Sequence, residues 1–207
     1  MTNIQHFFQP PEISKVCMSS NGEMLLFKKR VNEGISIFIS DIKMSYIKKI
    51  SYFDNKNIKE IVFFLSNELL VLENCANENL ERLYLFNCDN MTATLLGEYI
   101  GLHLIIHKFD KPYSDSKGLF IYLEIDTFET PLRYNLYKLY PQKKEYLKIF
   151  DNPGNVKYWY CVDQLEYFRE EIINNGCSRV TRYFNNHWIP LFNWKACNAL
   201  ATWVVAW

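Results

Sequence analysis

Residues 61–88, IVFFLSNELLVLENCANENLERLYLFNC, hold three short apolar runs that are separated by polar turn residues. Each run has the length of a strand, and the five residues Ile61–Leu65 are too few for a buried helix. An unbroken apolar run of this length is typical of a strand that is covered on both faces. The segment therefore predicts a small antiparallel sheet whose first strand is packed between neighbouring layers.

The same pattern of four short strands recurs about every 47 residues along the chain. The predicted units cover about 13–51, 60–96, 102–150 and 156–192. Repeats of four strands are typical of propeller blades. We therefore expect an all-β fold, a partial β-propeller of about four four-stranded antiparallel blades. A lead-in of residues 1–12 precedes the blades, and an apolar tail of residues 193–207 follows them.

Strand and turn residues support this pattern. Ile35, Ile37 and Ile39 alternate with less aliphatic residues, which predicts a strand with one aliphatic face. Asn21-Gly22 and Asn175-Gly176 suit tight hairpins, because both residue types accept a positive φ at low cost. Phe168–Ile173 has some helical propensity, but it is too short to outweigh the repeat. The tail ends in Trp203–Trp207, which is either the first strand of a further blade, a strand that closes the ring, or the product of a disrupted reading frame.

Charge and hydropathy exclude several classes of function. The 207 residues include 23 basic and 23 acidic side chains, so no basic surface for nucleic acid is expected. Met1–Gln9 lacks the basic start and apolar run of a signal peptide. No stretch approaches the roughly 18 apolar residues that a membrane helix needs. We expect a cytoplasmic protein that binds neither nucleic acid nor membranes.

The cysteines predict reduced thiols that pack in or beside strands. The six are Cys17, Cys75, Cys88, Cys161, Cys177 and Cys197, and no two have CxxC spacing. His103 and His107 are four residues apart, but Leu104 stands where a zinc-binding HExxH helix needs glutamate. We therefore expect structural or surface histidines, no metal site and no cofactor.

Several short motifs follow one another in an order that is similar to that of a known family. Phe7–Glu12 leads into the turn Ser19–Gly22 and the apolar Met24–Phe27. This combination resembles the opening of the β-propeller domain in the prolyl oligopeptidase family of serine peptidases. Further matches are Leu69–Leu72 with Asn77–Asn79 and Leu83-Tyr84, then Val162-Asp163 with Asn175-Gly176 and Trp188–Trp194. The first of these is similar to the second blade of the acylaminoacyl-peptidase branch, and the second to a later blade.

The resemblance implies a propeller that restricts access to an active site rather than a catalytic domain. In the family, a later hydrolase domain carries the serine, aspartate and histidine of the triad. This chain contains no G-x-S-x-G nucleophile elbow, so we expect a chain truncated before that domain, with no catalytic residues of its own. Asn21 and Asn77 stand where the family favours aspartate, and the second change weakens any inherited role for its loop.

One loop is a candidate for contact with a substrate or a partner: Glu73, Asn77, Glu78 and Asn79. It is either a polar rim that faces another molecule or an ordinary solvated connection. The expected partner is a separately encoded hydrolase domain or a peptide. The alternative function is a free-standing interaction module that binds a protein or peptide on its loop face.

Overall fold

The computed structural model describes residues 12–31, 34–54, 56–75, 78–101, 103–109, 111–127, 133–162, 166–173 and 177–195. These residues divide into two compact units. The first unit draws on Met1–Pro112 and Pro141–Lys144, and the second on Tyr113–Tyr140 and Glu145–Trp207. Each unit is built around two antiparallel sheets of consecutive strands.

The first unit contains two four-stranded sheets, each in simple up-and-down order. The first sheet comprises β1 (Ile13–Met18), β2 (Met24–Val31), β3 (Gly34–Asp41) and β4 (Ile47–Lys49). A 3-10 turn, Ser51–Phe53, leads out of it. The second sheet comprises β5 (Ile58–Leu65), β6 (Glu68–Cys75), β7 (Leu80–Asn87) and β8 (Thr92–Ile100), and the short β9 (Leu104–Ile106) follows.

The second unit repeats this arrangement. Its first sheet runs through β10 (Tyr113–Asp115), β11 (Gly118–Asp126), β12 (Tyr134–Tyr140) and β13 (Glu145–Phe150). Its second sheet comprises β14 (Val156–Val162), β15 (Glu166–Ile173), β16 (Cys177–Phe184) and β17 (His187–Lys195). The all-β class and the four-stranded antiparallel blades predicted from the sequence are therefore confirmed.

The turn between β1 and β2 shows how local sequence sets the pairing. The main-chain N–H of Gly22 donates to the carbonyl of Ser19 at 2.9 Å, and Gly22 has φ +73°. The Ser19 hydroxyl accepts from the N–H of Met24 at 2.9 Å. Glycine takes this left-handed conformation without a steric cost, so the predicted Asn21-Gly22 hairpin forms.

Each unit has its own buried core. In the first unit, the face of β2 and β3 that carries Leu26 and Ile39 packs against Ile61 and Phe63 of β5. The predicted covering of the Ile61–Leu65 strand is also confirmed on its other side, where Phe64 is buried. In the second unit, the core cluster is aromatic and aliphatic: Phe120, Tyr122, Leu136, Tyr140, Val156, Trp159 and Tyr167.

Two details differ from the sequence expectation or complete it. The third predicted unit was expected to begin with a strand at 102–109. Of this segment, Leu104–Ile106 is a strand, and the structure adds Tyr113–Asp115, a strand that the sequence did not predict and that forms the hairpin with β11. Phe168–Ile173 belongs to β15, as the repeat predicted, because pairing with its neighbours outweighs local helical propensity. The lead-in before residue 12, Asn175-Gly176 and the tail after residue 195 lie outside the described residues.

The first strands of three sheets share a bulge that the sequence did not predict. Lys15, Lys59 and Lys157 each interrupt the pairing register with the second strand of their sheet. A bulge leaves one residue unpaired and turns it out of the ladder. Each of these lysines reaches a glutamate: Lys15 pairs with Glu60, Lys59 with Glu81 and Lys157 with Glu170.

Candidate functional site

The connections between strands of the first unit lie at two opposite ends of its sheets, because successive strands are antiparallel. The loops after β2, β4, β6 and β8 lie at one end of their sheets, and the tight turns after β1, β3, β5 and β7 lie at the other. The predicted contact loop, around residues 73–79, belongs to the first of these ends. We call this end of the first unit the loop end.

Glu73, the first residue of the predicted loop, is an interior group of the loop end. It lies near the end of β6 and is only 7% exposed. Its Oε2 accepts from the Tyr84 hydroxyl at 3.0 Å and from the Lys56 ammonium at 3.2 Å. Burial, with this hydrogen bond second, raises the pKa of Tyr84 well above its usual value. Glu73 therefore holds the loop end together, since a buried carboxylate needs such partners.

Lys56 completes this cluster from the connection between the two sheets. Its Nζ lies 4.9 Å from the ring centres of Tyr52 and Tyr84 and 5.8 Å from that of Phe53. An ammonium over several ring faces gains cation–π attraction in addition to its ion pair with Glu73. The arrangement fixes the connection onto the second sheet.

A second buried carboxylate ties the first residues of β9 to the second sheet. Glu81, 3% exposed, accepts from the Leu104 N–H at 2.8 Å and from Lys59 at 2.6 Å. Lys59 also donates to the Leu104 carbonyl at 3.0 Å. The two side chains thus satisfy both polar groups of one backbone residue, as a neighbouring strand would. The Nδ1 of His103 lies 3.3 Å from the same carboxylate, and about half of the His103 side chain is exposed.

The exposed rim of the loop end consists of charged side chains around Arg82. Arg82 bonds to Glu98 at 2.7 Å and to Glu78 at 3.1 Å, and these two glutamates are 46% and 58% exposed. The hydrogen bond that Arg82 donates to Glu98 is the main reason why the pKa of Arg82 lies above its usual value. Glu78 and Asn79 are thus the described members of the predicted loop that are exposed to solvent.

The two remaining residues of the predicted loop are Asn77 and Asn79. Asn79 has φ +48°, and its carbonyl accepts from the Gly101 N–H at 2.6 Å. Asn77 lies outside the described residues. The role proposed for the loop in contacting a substrate or partner stays a prediction. The sequence predicts neither the contacts of Lys56 nor the burial of Glu81, and it marks Tyr84 only as a strand residue. A glutamate within or beside an apolar strand is, however, a detectable sign of a buried carboxylate.

The opposite end of the first unit carries a cleft of about 410 Å³. Its lining combines apolar side chains with polar and charged ones, which include Glu23, Lys48, Asn67 and Asp89. Cys88 is the cysteine in its wall, and burial raises the pKa of that thiol to about 12. A thiol with such a pKa is protonated at neutral pH and is a poor nucleophile.

Three further thiols follow the same trend. Burial is the largest cause that raises the pKa of Cys17, Cys75 and Cys161 above the usual value. The five described cysteines are all free, and Cys197 lies outside the described residues. This setting favours packing over catalysis for these side chains. Among the described residues, no group of three or more histidine, cysteine, aspartate and glutamate side chains is arranged to hold a metal ion.

The described part of the chain contains no helix with the length and apolar character needed to cross a bilayer. No protein-family model matches the chain. No curated protein matches it in sequence.

Solved structures do match the chain in fold. The β-propeller domain of the Trilobed protease from Pyrococcus furiosus, described as having an open velcro topology, aligns with a TM-score of 0.57 and 14% identity over 87% of this chain and 56% of that one. Acylaminoacyl peptidase from Pyrococcus horikoshii aligns with a TM-score of 0.57 and 13% identity, over 87% of this chain and 32% of that one. TolB from Acinetobacter baumannii aligns with a TM-score of 0.58 and 9% identity, over 86% of this chain and 42% of that one.

These similarities establish the fold. They confirm, at the level of fold, the predicted likeness to the propeller domains of prolyl oligopeptidase and acylaminoacyl peptidase enzymes. The chain spans between about a third and just over half of the solved chains that it matches. Their activities therefore bear on this chain only as proposals.

Proposed function

We propose that the chain is a non-catalytic propeller that gates the access of peptides to a serine-peptidase hydrolase domain of the prolyl oligopeptidase type. The fold similarity to propeller domains of the Trilobed protease and acylaminoacyl peptidase carries this proposal. The absence of a G-x-S-x-G segment from the sequence and the raised pKa values of the buried thiols support a role without bond cleavage. The partner is a separately encoded hydrolase domain.

The charged rim of the loop end is the surface that we assign to this contact. Glu78, Arg82 and Glu98 are exposed enough to meet another molecule, whereas Glu73 is buried beneath them. A rim of alternating charge discriminates between partners more than it adds affinity. The buried carboxylates keep the rim in position, because they fix the strands and connections that carry it.

The test combines this chain with a hydrolase domain that carries G-x-S-x-G and is encoded in the same genome. Hydrolysis of an N-acetyl-tripeptide p-nitroanilide and of casein is measured for the chain alone, the hydrolase alone and the mixture. We expect no turnover by the chain alone. In the mixture we expect casein hydrolysis to fall at least tenfold relative to tripeptide hydrolysis, because a gate excludes large substrates.

A matched pair of substitutions tests the assigned surface. Glu98 and Glu145 are ion-paired glutamates with 46% and 45% exposure, one on the rim and one on β13 of the second unit. Glu98→Lys should reduce the size discrimination, whereas Glu145→Lys should leave it unchanged. Two results would contradict the proposal. One is turnover by the highly purified chain alone, and the other is a rate of casein hydrolysis that is the same in the mixture as with the hydrolase alone.

A free-standing interaction module is the second candidate function. The exposed, ion-paired rim of Glu78, Arg82 and Glu98 favours it, because charged side chains at this position can meet a protein or peptide directly. In this case the loop end binds a protein or peptide without any hydrolase. Capture of one defined peptide from a synthetic library, lost in Glu98→Lys and kept in Glu145→Lys, would support this function over gating.

A further inference from the structure

The outer face of the sheet β14–β17 carries an open apolar patch. The pairs Tyr160–Phe168 and Val180–Phe192 lie directly opposite each other, so their side chains share this face. The other face, with Trp159, is the one buried in the core of the second unit. Six side chains of the outer face are between 40% and 52% exposed: Tyr158, Tyr160, Val162, Ile172, Phe184 and Phe192.

A groove of about 530 Å³ runs across this face. Its lining consists of aliphatic and aromatic side chains: Tyr160, Val162, Phe168, Val180 and Phe192. An antiparallel sheet that faces water normally alternates apolar and polar residues, so that only one face is apolar. Here the outer face also carries a contiguous apolar patch, beside the charged residues Glu166, Glu170 and Arg182 of the same face. A patch of this kind is typical of a surface that is covered by another element.

The first unit shows how the chain covers such a face. The apolar face of β2 and β3 is covered by Ile61 and Phe63, alternate residues of β5. These two residues lie 12 and 14 positions after Lys49, the last residue of β4. A sheet face is therefore covered by the strand that follows its own fourth strand.

The second unit uses the same device. Phe120 and Leu136 of its first sheet share a core with Trp159 of β14. Trp159 lies nine positions after Phe150, the last residue of β13. Covering residues thus occur about 9 to 14 positions after the fourth strand of a sheet. Applied to β17, which ends at Lys195, this spacing points to positions near 204–209.

The sequence after β17 has the required character at those positions. Val205 and Trp207 lie 10 and 12 positions after Lys195, Trp203 lies one position before this range, and residues 196–207 include no charged side chain. Burying this segment therefore requires no desolvation of a charged side chain. Adjacent valines favour a strand, and each buried aromatic side chain removes roughly 150–250 Å² from water.

We propose that the segment Trp203–Trp207, which lies outside the described residues, docks on the outer face of β14–β17 as a further strand. Trp203, Val205 and Trp207 occupy the groove, in the manner of Ile61 and Phe63 on the first sheet. The occupant is thus a segment of this same chain rather than a second copy or another protein.

The experiment uses the full chain labelled with 5-fluorotryptophan. Trp203→Phe assigns the fluorine resonance of Trp203, and the shift of that resonance between H₂O and D₂O measures its exposure. We expect a small solvent shift in the parent chain. Phe192→Asp and, separately, Val162→Asp should raise it to the value of the urea-unfolded chain. The control Ile100→Asp alters an exposed apolar residue of β8 (69% exposed) and should leave the shift small.

Two results would overturn the proposal. One is a Trp203 resonance that shows the full solvent shift in the folded parent. The other is a small shift that rises on dilution together with dissociation of a dimer in sedimentation velocity, which would make a second copy the occupant. Because the first measurement is made on the parent chain, it does not depend on whether the aspartate variants fold.

Discussion

At the scale of single residues, the loop end depends on carboxylates whose environments differ sharply. Glu73 is buried and accepts from Tyr84 and Lys56, whereas Glu78, five residues later, is exposed beside Arg82. Removing a buried acceptor leaves its donors without a hydrogen-bond partner, which lowers the stability of the fold. An exposed ion pair contributes little to stability, because water screens it. Residues from one predicted loop therefore have different energetic roles.

This difference gives a direct prediction for stability. Glu73→Ala should lower the free energy of unfolding by about 1–3 kcal/mol, because the Tyr84 hydroxyl is left buried without its acceptor. Glu78→Ala, the control, should cost less than about 1 kcal/mol. Urea unfolding of both variants measures the two values. Equal losses would show that burial of Glu73 does not decide its contribution.

Asp115, in the second unit, predicts a pH dependence. Partial burial alone would raise the pKa of this carboxyl, but bonds from Tyr140 at 2.8 Å and Lys138 at 3.0 Å outweigh it, and the pKa lies below its usual value. The unfolded chain therefore binds the proton more readily. The stabilisation is present above the unfolded pKa, about 3.9, and is lost as pH falls through the folded pKa.

Asp115→Asn tests this dependence. The difference in unfolding free energy between parent and variant should be largest at pH 6 and should shrink as the pH falls from 5 towards 2. Urea titrations at these pH values measure the unfolding free energies of both proteins. Subtracting the free energy of the variant from that of the parent removes the contribution of the other carboxylates. A difference that is the same at pH 6 and pH 2 would refute the assignment.

At the scale of elements, short turns and bulges set the pairing register. The first hairpin requires a left-handed residue at Gly22, whereas Gly34 follows the β2–β3 loop without a positive φ. The recurring bulges at Lys15, Lys59 and Lys157 serve a different purpose, since each turns a lysine out of a first strand towards a glutamate. Local backbone geometry thus places charges as well as strands.

Gly22→Ala isolates the backbone cost of that hairpin. A Cβ at this position would meet no atom within 4 Å, so the cost is conformational, about 1–2 kcal/mol. Gly22→Asn should cost less, because asparagine tolerates the left-handed region. Thermal unfolding of the two variants and of the control Gly34→Ala, which has no positive φ, provides the comparison. A loss in Gly34→Ala as large as that in Gly22→Ala would contradict this explanation.

At the scale of the whole molecule, each of the two units has a buried core among its described residues. Ile39 belongs to the aliphatic-rich core of the first unit and Leu136 to the aromatic-rich core of the second. Both side chains are at most 2% exposed. Removing methyl groups from such positions loses transfer free energy and leaves a cavity.

Ile39→Ala and Leu136→Ala should each lower the free energy of unfolding by about 2–5 kcal/mol. Ile47→Ala, at a site on β4 that is 55% exposed, should change it by less than about 0.5 kcal/mol. Denaturant titration measures all three. A loss below about 1 kcal/mol for either buried residue would mean that its core is not required for the cooperative transition.

The sequence alone determined the strands, their fourfold recurrence and the likeness to a propeller, because alternation, apolar runs and Asn-Gly turns are local properties of the chain. The tertiary structure alone decided that Glu73 is an interior residue, that Lys56 lies over three aromatic rings, and that Glu81 binds the backbone of Leu104. It also added Tyr113–Asp115, a strand that the sequence did not predict, beside β11. These features depend on which distant segments meet, and burial and pairing between strands are set by that packing rather than by the order of neighbouring residues.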